Sequence, residues 1–290
     1  MDFFALRCFV EIVRSGGFTR ASEALGRTQP AVSFQIRKLE EELGGPLIDR
    51  STPALAMTDR GRQLFPRAER ILEELADLGR EIASEGDFPR GRVTIAAGIA
   101  VIEGFLPALL GAFKSSYPNI RLALLNRPDE GIYRSLIDGR ADLGIGYLLG
   151  GRPRIASEQI GELRFFLVSR KGRDGRPPAV DELLALPLLS FEKGFDLRNY
   201  LEGRLGPLAT SLELPSAEAL LRYAERGVGP AIVPVIGEAP DRPALEWASL
   251  DDRVPPLPLE LYFREGAVAS KAAALLARTI REGKSADEIA

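Results

Sequence analysis

At 290 residues the chain exceeds one ordinary domain and suits two or three, each able to bury a core. Hydrophobic residues make up 45% and charged residues 27%, ordinary for a water-soluble protein, and no run of about 18 apolar residues is present to span a membrane. The net charge of −3 gives no whole-chain sign of a nucleic-acid partner, while the absence of histidine and the single cysteine, Cys8, argue against a zinc site, an internal disulfide or a histidine base.

A DNA surface would therefore have to be local. Between Arg14 and Lys38 five basic residues (Arg14, Arg20, Arg27, Arg37, Lys38) face one acid, Glu23, a local charge of +4. A solvated basic face is the plainer alternative. The amino end lacks the basic region of a signal peptide, so a reducing cytoplasmic location is expected, with Cys8 as a packing residue and no cofactor or metal.

Leu6, Phe9, Val10 and Val13 recur at helical spacing and predict a first helix ending at Ser15-Gly16-Gly17. Thr19 suits the N-cap of a short second helix carrying Ala21, Ala24 and Leu25. After a Gly26-Arg27-Thr28 turn, Thr28 can cap a third helix, and Pro30 is tolerated because it lies in the first turn. Val32, Ile36, Leu39 and Leu43 form its buried stripe, and Gly44-Gly45-Pro46 ends it. Two short strands, Leu47–Arg50 and Ala54–Met57, read as a hairpin wing. Residues 1–58 are thus expected to form a winged helix-turn-helix domain.

Thr58 is placed to cap a long helix spanning residues 59–84. Within it Leu64, Ala68, Ile71, Leu75, Leu78 and Ile82 are spaced 4, 3, 4, 3, 4, a heptad seam of the kind that pairs helices. The other positions are mostly charged, which favours a second copy of the chain as the partner. Residues 85–91 have the composition of a hinge. From residue 92 to 290 strands and helices alternate, the signature of an α/β sheet. Strands are expected at 93–97, 120–125, 142–146, 163–169, 211–214, 230–233 and 257–263. The intervening helices are 102–115, 132–137, 197–204, 217–225 and 270–281. Two such units suggest two lobes with a cleft: lobe I near 92–160 and 264–290, lobe II near 161–263.

The second helix of a helix-turn-helix presents its amino-terminal residues to base edges in the major groove. Here these are Gln29, Pro30, Ser33 and Phe34, with Arg37 one turn on. Gln29 can bond adenine in bidentate fashion, and Pro30 or Phe34 can touch a thymine methyl. Ser33, Thr28 and Thr19 suit phosphate oxygens, Arg20 and Arg37 the flanking backbone, and Arg50 and Thr52 of the wing the strand leading to the minor groove.

These residues resemble the LysR-type transcriptional regulators. The resemblance covers the whole chain and is most specific from Leu6 to Gly61. It is carried by Gly17-Phe18-Thr19, Ala24-Leu25, Thr28-Gln29-Pro30-Ala31-Val32-Ser33, Leu39-Glu40, Leu43-Gly44, Asp49-Arg50 and Thr58. It implies binding to interrupted palindromes at promoters, homodimers assembling into homotetramers, and contact with RNA polymerase. It also implies a C-terminal domain, residues 92–290, shaped like a periplasmic binding protein, with a small-molecule effector between its lobes. Phe34 departs from the polar residue often found there.

By the same resemblance the effector would meet Ala97, Gly98, Ile99 and Ala100, the Gly146-Tyr147 loop, Phe195, and Ser216 at the start of a helix. Relatives often place Ser or Thr in the first of these turns; this chain has none between Ala96 and Phe105. An apolar or aromatic acid is the expected ligand. Peroxide sensing within the family needs two cysteines in this domain, and the chain has none there. An enzyme is disfavoured because no GxSxG, P-loop or strand-to-helix GxGxxG occurs. An exported solute-binding protein would not carry the front third.

Overall fold

Asp2 begins the first helix by accepting a hydrogen bond from the Ala5 amide at 2.7 Å, satisfying one of the free donors of a helix start. In the computed structural model, which describes residues 2–49, 55–83, 89–147, 151–172 and 179–283, this helix is α1, Phe3–Ser15. Gly16 ends it at φ 70°, a left-handed conformation that disfavours any side chain. Helix α2 is Phe18–Ala24 and α3 is Gln29–Glu42. Antiparallel strands β1, Ile48–Asp49, and β2, Ala56–Met57, pair Ile48 with Met57 and Asp49 with Ala56. They are shorter than expected, and residues 50–54 lie outside the described ones.

Helix α4 runs Asp59–Ala83. Thr58 caps it, accepting from the Gly61 amide at 3.1 Å and donating to the Pro46 carbonyl at 2.7 Å. Phe9, Ile12, Val32, Ile36, Leu39, Leu47 and Ala68 form one buried core, with Leu64, Phe65 and Ile71 packed on it. The Phe9 and Phe65 rings meet edge to face, 6.2 Å between centroids. The front of the expected seam is thus spent within the domain. Ala68 is 0% exposed and belongs to this core, a correction to its place in a dimer interface. Leu75 is 39% exposed; the side chains of Leu78 and Ile82 lie outside the described residues. Cys8 is buried in the same core, and burial pushes its thiol up to about 11, leaving it unreactive at neutral pH.

The chain divides into two units: Met1–Gly91 with Asp138–Arg140, and Arg92–Ile137 with Ala141–Ala290. Of the expected hinge, residues 85–88 lie outside the described ones.

The second unit opens with β3 (Gly91–Ala97), α5 (Ile99–Gly104), α6 (Leu106–Ser116), β4 (Ile120–Asn126), α7 (Asp129–Ile137) and β5 (Leu143–Gly146). The single helix expected over 102–115 is two, because Pro107 at the start of α6 removes a backbone donor and crowds the turn before it. Next come β6 (Ile155–Arg170), α8 (Val180–Leu184), β7 (Leu188–Phe191), α9 (Asp196–Leu205), β8 (Thr210–Leu214) and α10 (Ala217–Glu225). The remainder is β9 (Ala231–Ile236), β10 (Leu245–Ser249), β11 (Leu257–Arg264) and α11 (Lys271–Glu282).

Among the described residues one sheet runs β4-β3-β5-β11-β6-β9-β7-β8, with β10 also on β6. It is divided between two large cores, with a smaller cluster of Ala96, Ile132, Leu136, Ala141, Ile155 and Tyr262 beside α7. Val93, Ile95, Leu106, Phe113, Leu143, Leu261 and α11 make the first, and Phe165, Leu167, Phe191, Leu197, Leu220 and Val233 the second. The long antiparallel strands β6 and β11 contribute to both: Leu257 packs in the second core, Leu259 and Leu261 in the first. Two crossing strands therefore join two lobes.

Candidate nucleic-acid interface and effector cleft

On α3 the apolar residues Val32, Ile36 and Leu39 turn inward, which fixes the outward face. Gln29, Pro30, Phe34 and Arg37 are exposed there and Ser33 is half-buried. The Gln29 amide donates to the Ser33 hydroxyl at 3.3 Å, holding two expected base- and phosphate-reading groups side by side. Phe34 is 59% exposed on this face, free to meet a partner.

Thr28 occupies the N-cap of α3, yet its side chain makes no capping bond. The expected cap is corrected in this respect: the Thr28 hydroxyl leaves the first amides of the helix uncapped. Such an end attracts anionic oxygens. Thr19 does not cap α2 either. Gly17 holds that position and Thr19 lies one residue inside the helix, exposed beside Arg20. The reason is the backbone, which is extended at Gly17 and enters the helix at Phe18.

The basic residues separate by their partners. Arg14 is paired with Glu69 at 2.9 Å, and Arg27 lies over the Phe4 ring, 5.6 Å from its centroid. Lys38 reaches Asp2 only at 3.9 Å. Arg20 donates to the Gly16 carbonyl at 3.1 Å while staying exposed. Arg37 forms no ion pair among the described residues, and it shares the face of Gln29 and Ser33. The +4 of the sequence is thus concentrated into a smaller number of available guanidinium groups. Arg50 and Thr52 lie outside the described residues.

In the second unit, Ala97 ends β3, Gly98 is the N-cap of α5, and Ile99 and Ala100 begin that helix. Ala100 and Tyr147 belong to the first lobe by chain position but are buried with the second lobe's core, against which Phe195 packs. A methyl placed on Gly98 would stand 3.8 Å from the Tyr147 hydroxyl oxygen. The rings of Phe191 and Phe195 stack at 4.9 Å and 17°. Phe195 is also the N-cap of α9, which Arg198, 2% exposed, anchors through Glu202 at 3.0 Å, Glu213 at 2.6 Å and the Phe191 carbonyl at 2.8 Å. Ser216 caps α10 by accepting from the Ala219 amide at 3.3 Å. Its hydroxyl therefore already serves the helix start.

Two residues of this region were not singled out from the sequence. Asp129 opens α7, is 9% exposed, and has one carboxylate oxygen, Oδ2, with no hydrogen-bond partner. Burial first, and then the charge of Asp196, push its pKa up to about 7, against a smaller pull from Arg152. Asp196, first residue of α9, comes from the other lobe. Tyr147 is held above its ordinary range by burial and by both carboxylates. The available signal was an aspartate directly after a strand-to-helix Pro128, which reads equally well as an ordinary helix start.

Comparison with known proteins gives a consistent picture. Residues 3–62 match the bacterial regulatory helix-turn-helix protein, lysR family, and residues 86–285 match the LysR substrate binding domain. The chain is 31% identical over 198 residues to the HTH-type transcriptional regulator CrgA of Neisseria meningitidis, a match covering 67% of this chain and 65% of that one. It thus spans just under two thirds of that relative's length. Full-length LysG from Corynebacterium glutamicum, solved with bound effector Arg, has a similar fold (TM-score 0.68, 22% identity, 99% of each chain). So does full-length CbnR complexed with its target DNA (TM-score 0.66, 23% identity, 98% of this chain and 100% of that one). With a family match to both its front domain and the greater part of its length, the chain belongs to the LysR family of bacterial regulatory helix-turn-helix proteins.

Proposed function

We propose that the protein is a sequence-specific DNA-binding transcription regulator of the LysR type, controlled by a small molecule bound between the two lobes of its C-terminal domain. The carrying observation is the outward face of α3: an amino end without a side-chain cap, followed by Gln29, Pro30, Ser33, Phe34 and Arg37. That arrangement suits insertion into the major groove, with Gln29 reading a base, Phe34 or Pro30 covering a thymine methyl, and Arg37, Arg20, Thr19 and Thr28 holding phosphates. The family to which the chain belongs supports the same reading for both domains. No described helix is long and apolar enough to cross a membrane.

The chain would act as a homodimer or homotetramer. Leu75, exposed on α4, marks the surface left for pairing once Leu64, Ala68 and Ile71 are spent inside the domain. Promoter DNA and RNA polymerase are the macromolecular partners.

The test is an electrophoretic mobility shift with the DNA upstream of the protein's own coding region, titrated with salt. Arg37→Ala should weaken binding on every sequence and reduce the salt slope by about one. Gln29→Ala should lose about 1–3 kcal/mol of discrimination at one base position, with non-specific binding retained. A protein with no salt-sensitive association, or an Arg37→Ala loss confined to one base pair, contradicts this reading.

A further inference from the structure

Asp129 is a buried carboxylate without the partner such a group ordinarily has. Uncompensated burial of a charge costs several kcal/mol in real proteins, so buried acids are paired, metal-bound or functional. Its Oδ2 has no hydrogen bond. Its Oδ1 is 3.2 Å from where a Gly146 side chain would begin, which places the carboxylate at the end of β5, beside Tyr147. Asp196 of the facing lobe interacts with both Asp129 and Tyr147.

Among the described residues no cation is bonded there. Arg152, the basic group with an influence on Asp129, is held by Glu130 at 3.1 Å and lies over the Tyr133 ring at 5.3 Å. Asp196 has no hydrogen bond or ion pair among the described residues. Two acids from opposite lobes therefore face one place beside Gly98 and Tyr147, with no bonded counterion among the described residues.

We propose that the effector carries a protonated amine or guanidinium, held between Asp129 of the first lobe and Asp196 of the second, with the Tyr147 hydroxyl accepting a further hydrogen bond. The inference rests on reading this cleft as the effector site, and it replaces the expected acid with a cation. A carboxylate ligand would meet two like charges, whereas an ammonium would compensate both and hold the lobes together. Phe195, partly buried beside Asp196 and backed by the buried Phe191 ring, offers an apolar surface to the rest of such a ligand.

The full chain should be screened by thermal shift and calorimetry at pH 8 with L-arginine, agmatine, putrescine and benzylamine. Benzoate and 4-hydroxybenzoate serve as the matched acids. At least one cation should bind saturably, and Asp129→Asn and Asp196→Asn should each weaken it by about tenfold or more, the size expected for loss of a charged hydrogen bond. Asp129→Asn also removes an unfavourable buried charge, so its folding is secure, and Asp196 is only half-buried. Binding of the amine should tighten from pH 6 to pH 8 as Asp129 ionises. The groups around it are Asp196, Tyr147, Tyr262 and Arg152, and Asp129 is pushed up to about 7 by burial. If an acid binds and Asp129→Asn keeps or improves its affinity, the cationic class is wrong while the cleft remains an effector site. Failure of every probe to bind likewise overturns the proposal. Loss of DNA binding by the wild-type chain is a separate measurement and bears on the regulator reading alone.

Discussion

In an unfolded chain Asp129 titrates near the ordinary value of 3.8, whereas in the folded protein burial pushes it up to about 7. Between these values the unfolded state has released its proton and the folded state still holds it. Stability therefore falls as pH rises from about 4 to about 7 and levels off above. Three pKa units correspond to about 4 kcal/mol. Acids held low by arginine partners act oppositely and in a lower interval: Glu213 through Arg198, and Glu218 through Arg222 and Arg242. The difference between wild type and Asp129→Asn isolates the one group. The wild type should lose melting temperature between pH 5 and pH 7.5 while the asparagine variant stays nearly level and is the more stable at pH 8. A variant less stable than wild type at pH 8 would mean that Asp129 is paired as a charge.

At the scale of elements, the turn into α4 depends on Gly61. A Cβ there would overlap the Leu47 carbonyl oxygen, and Met57 closes the other side. Because the obstacle is backbone, no rotamer relieves it, and the carbonyl is already engaged by the Thr58 amide at 3.0 Å. Gly61→Ala should destabilise the winged domain by about 3 kcal/mol or more, read as an earlier unfolding transition and weaker DNA binding; an unchanged transition would show that α4 can shift freely against the wing. Much of this architecture was legible beforehand. The 3.6-residue stripes of α1 and α3, the Gly16 and Pro30 punctuation and the Thr58 cap all have local causes. What escaped had non-local ones. The front of β6 reads as polar because its residues around Glu158 and Gln159 are exposed, and its pairing with β11 supplies the strand. β10 is a short edge strand fixed by Trp247 opposite Val168. Of the α4 heptad, Leu64, Ala68 and Ile71 pack into the core with Phe9 and Ile12, far away in sequence. Asp129 was invisible for a related reason, since its meaning comes from Asp196, which folding brings in from the other lobe.

For the whole molecule, the proposed pairing of two chains has a geometric consequence on DNA. Two copies related by a two-fold axis present two α3 helices, and each must meet the major groove on the same side of the duplex. Their half-sites must then lie about 10 base pairs apart, or a multiple of that. Inserting about half a helical turn between the half-sites rotates one of them to the far face, so one α3 loses its contact unless the DNA twists, which is costly. Inserting a full turn restores the face at a greater distance. Dimer binding should consequently fall on adding five base pairs and recover in part on adding ten, whereas substituting the spacer without changing its length should have a smaller effect. Leu75→Asp, at an exposed position of α4, should reduce the apparent affinity of both spacings toward that of a single half-site by weakening the pairing itself. Equal affinity at all spacings would show that the two reading helices act independently, and would remove α4 as the element that couples them.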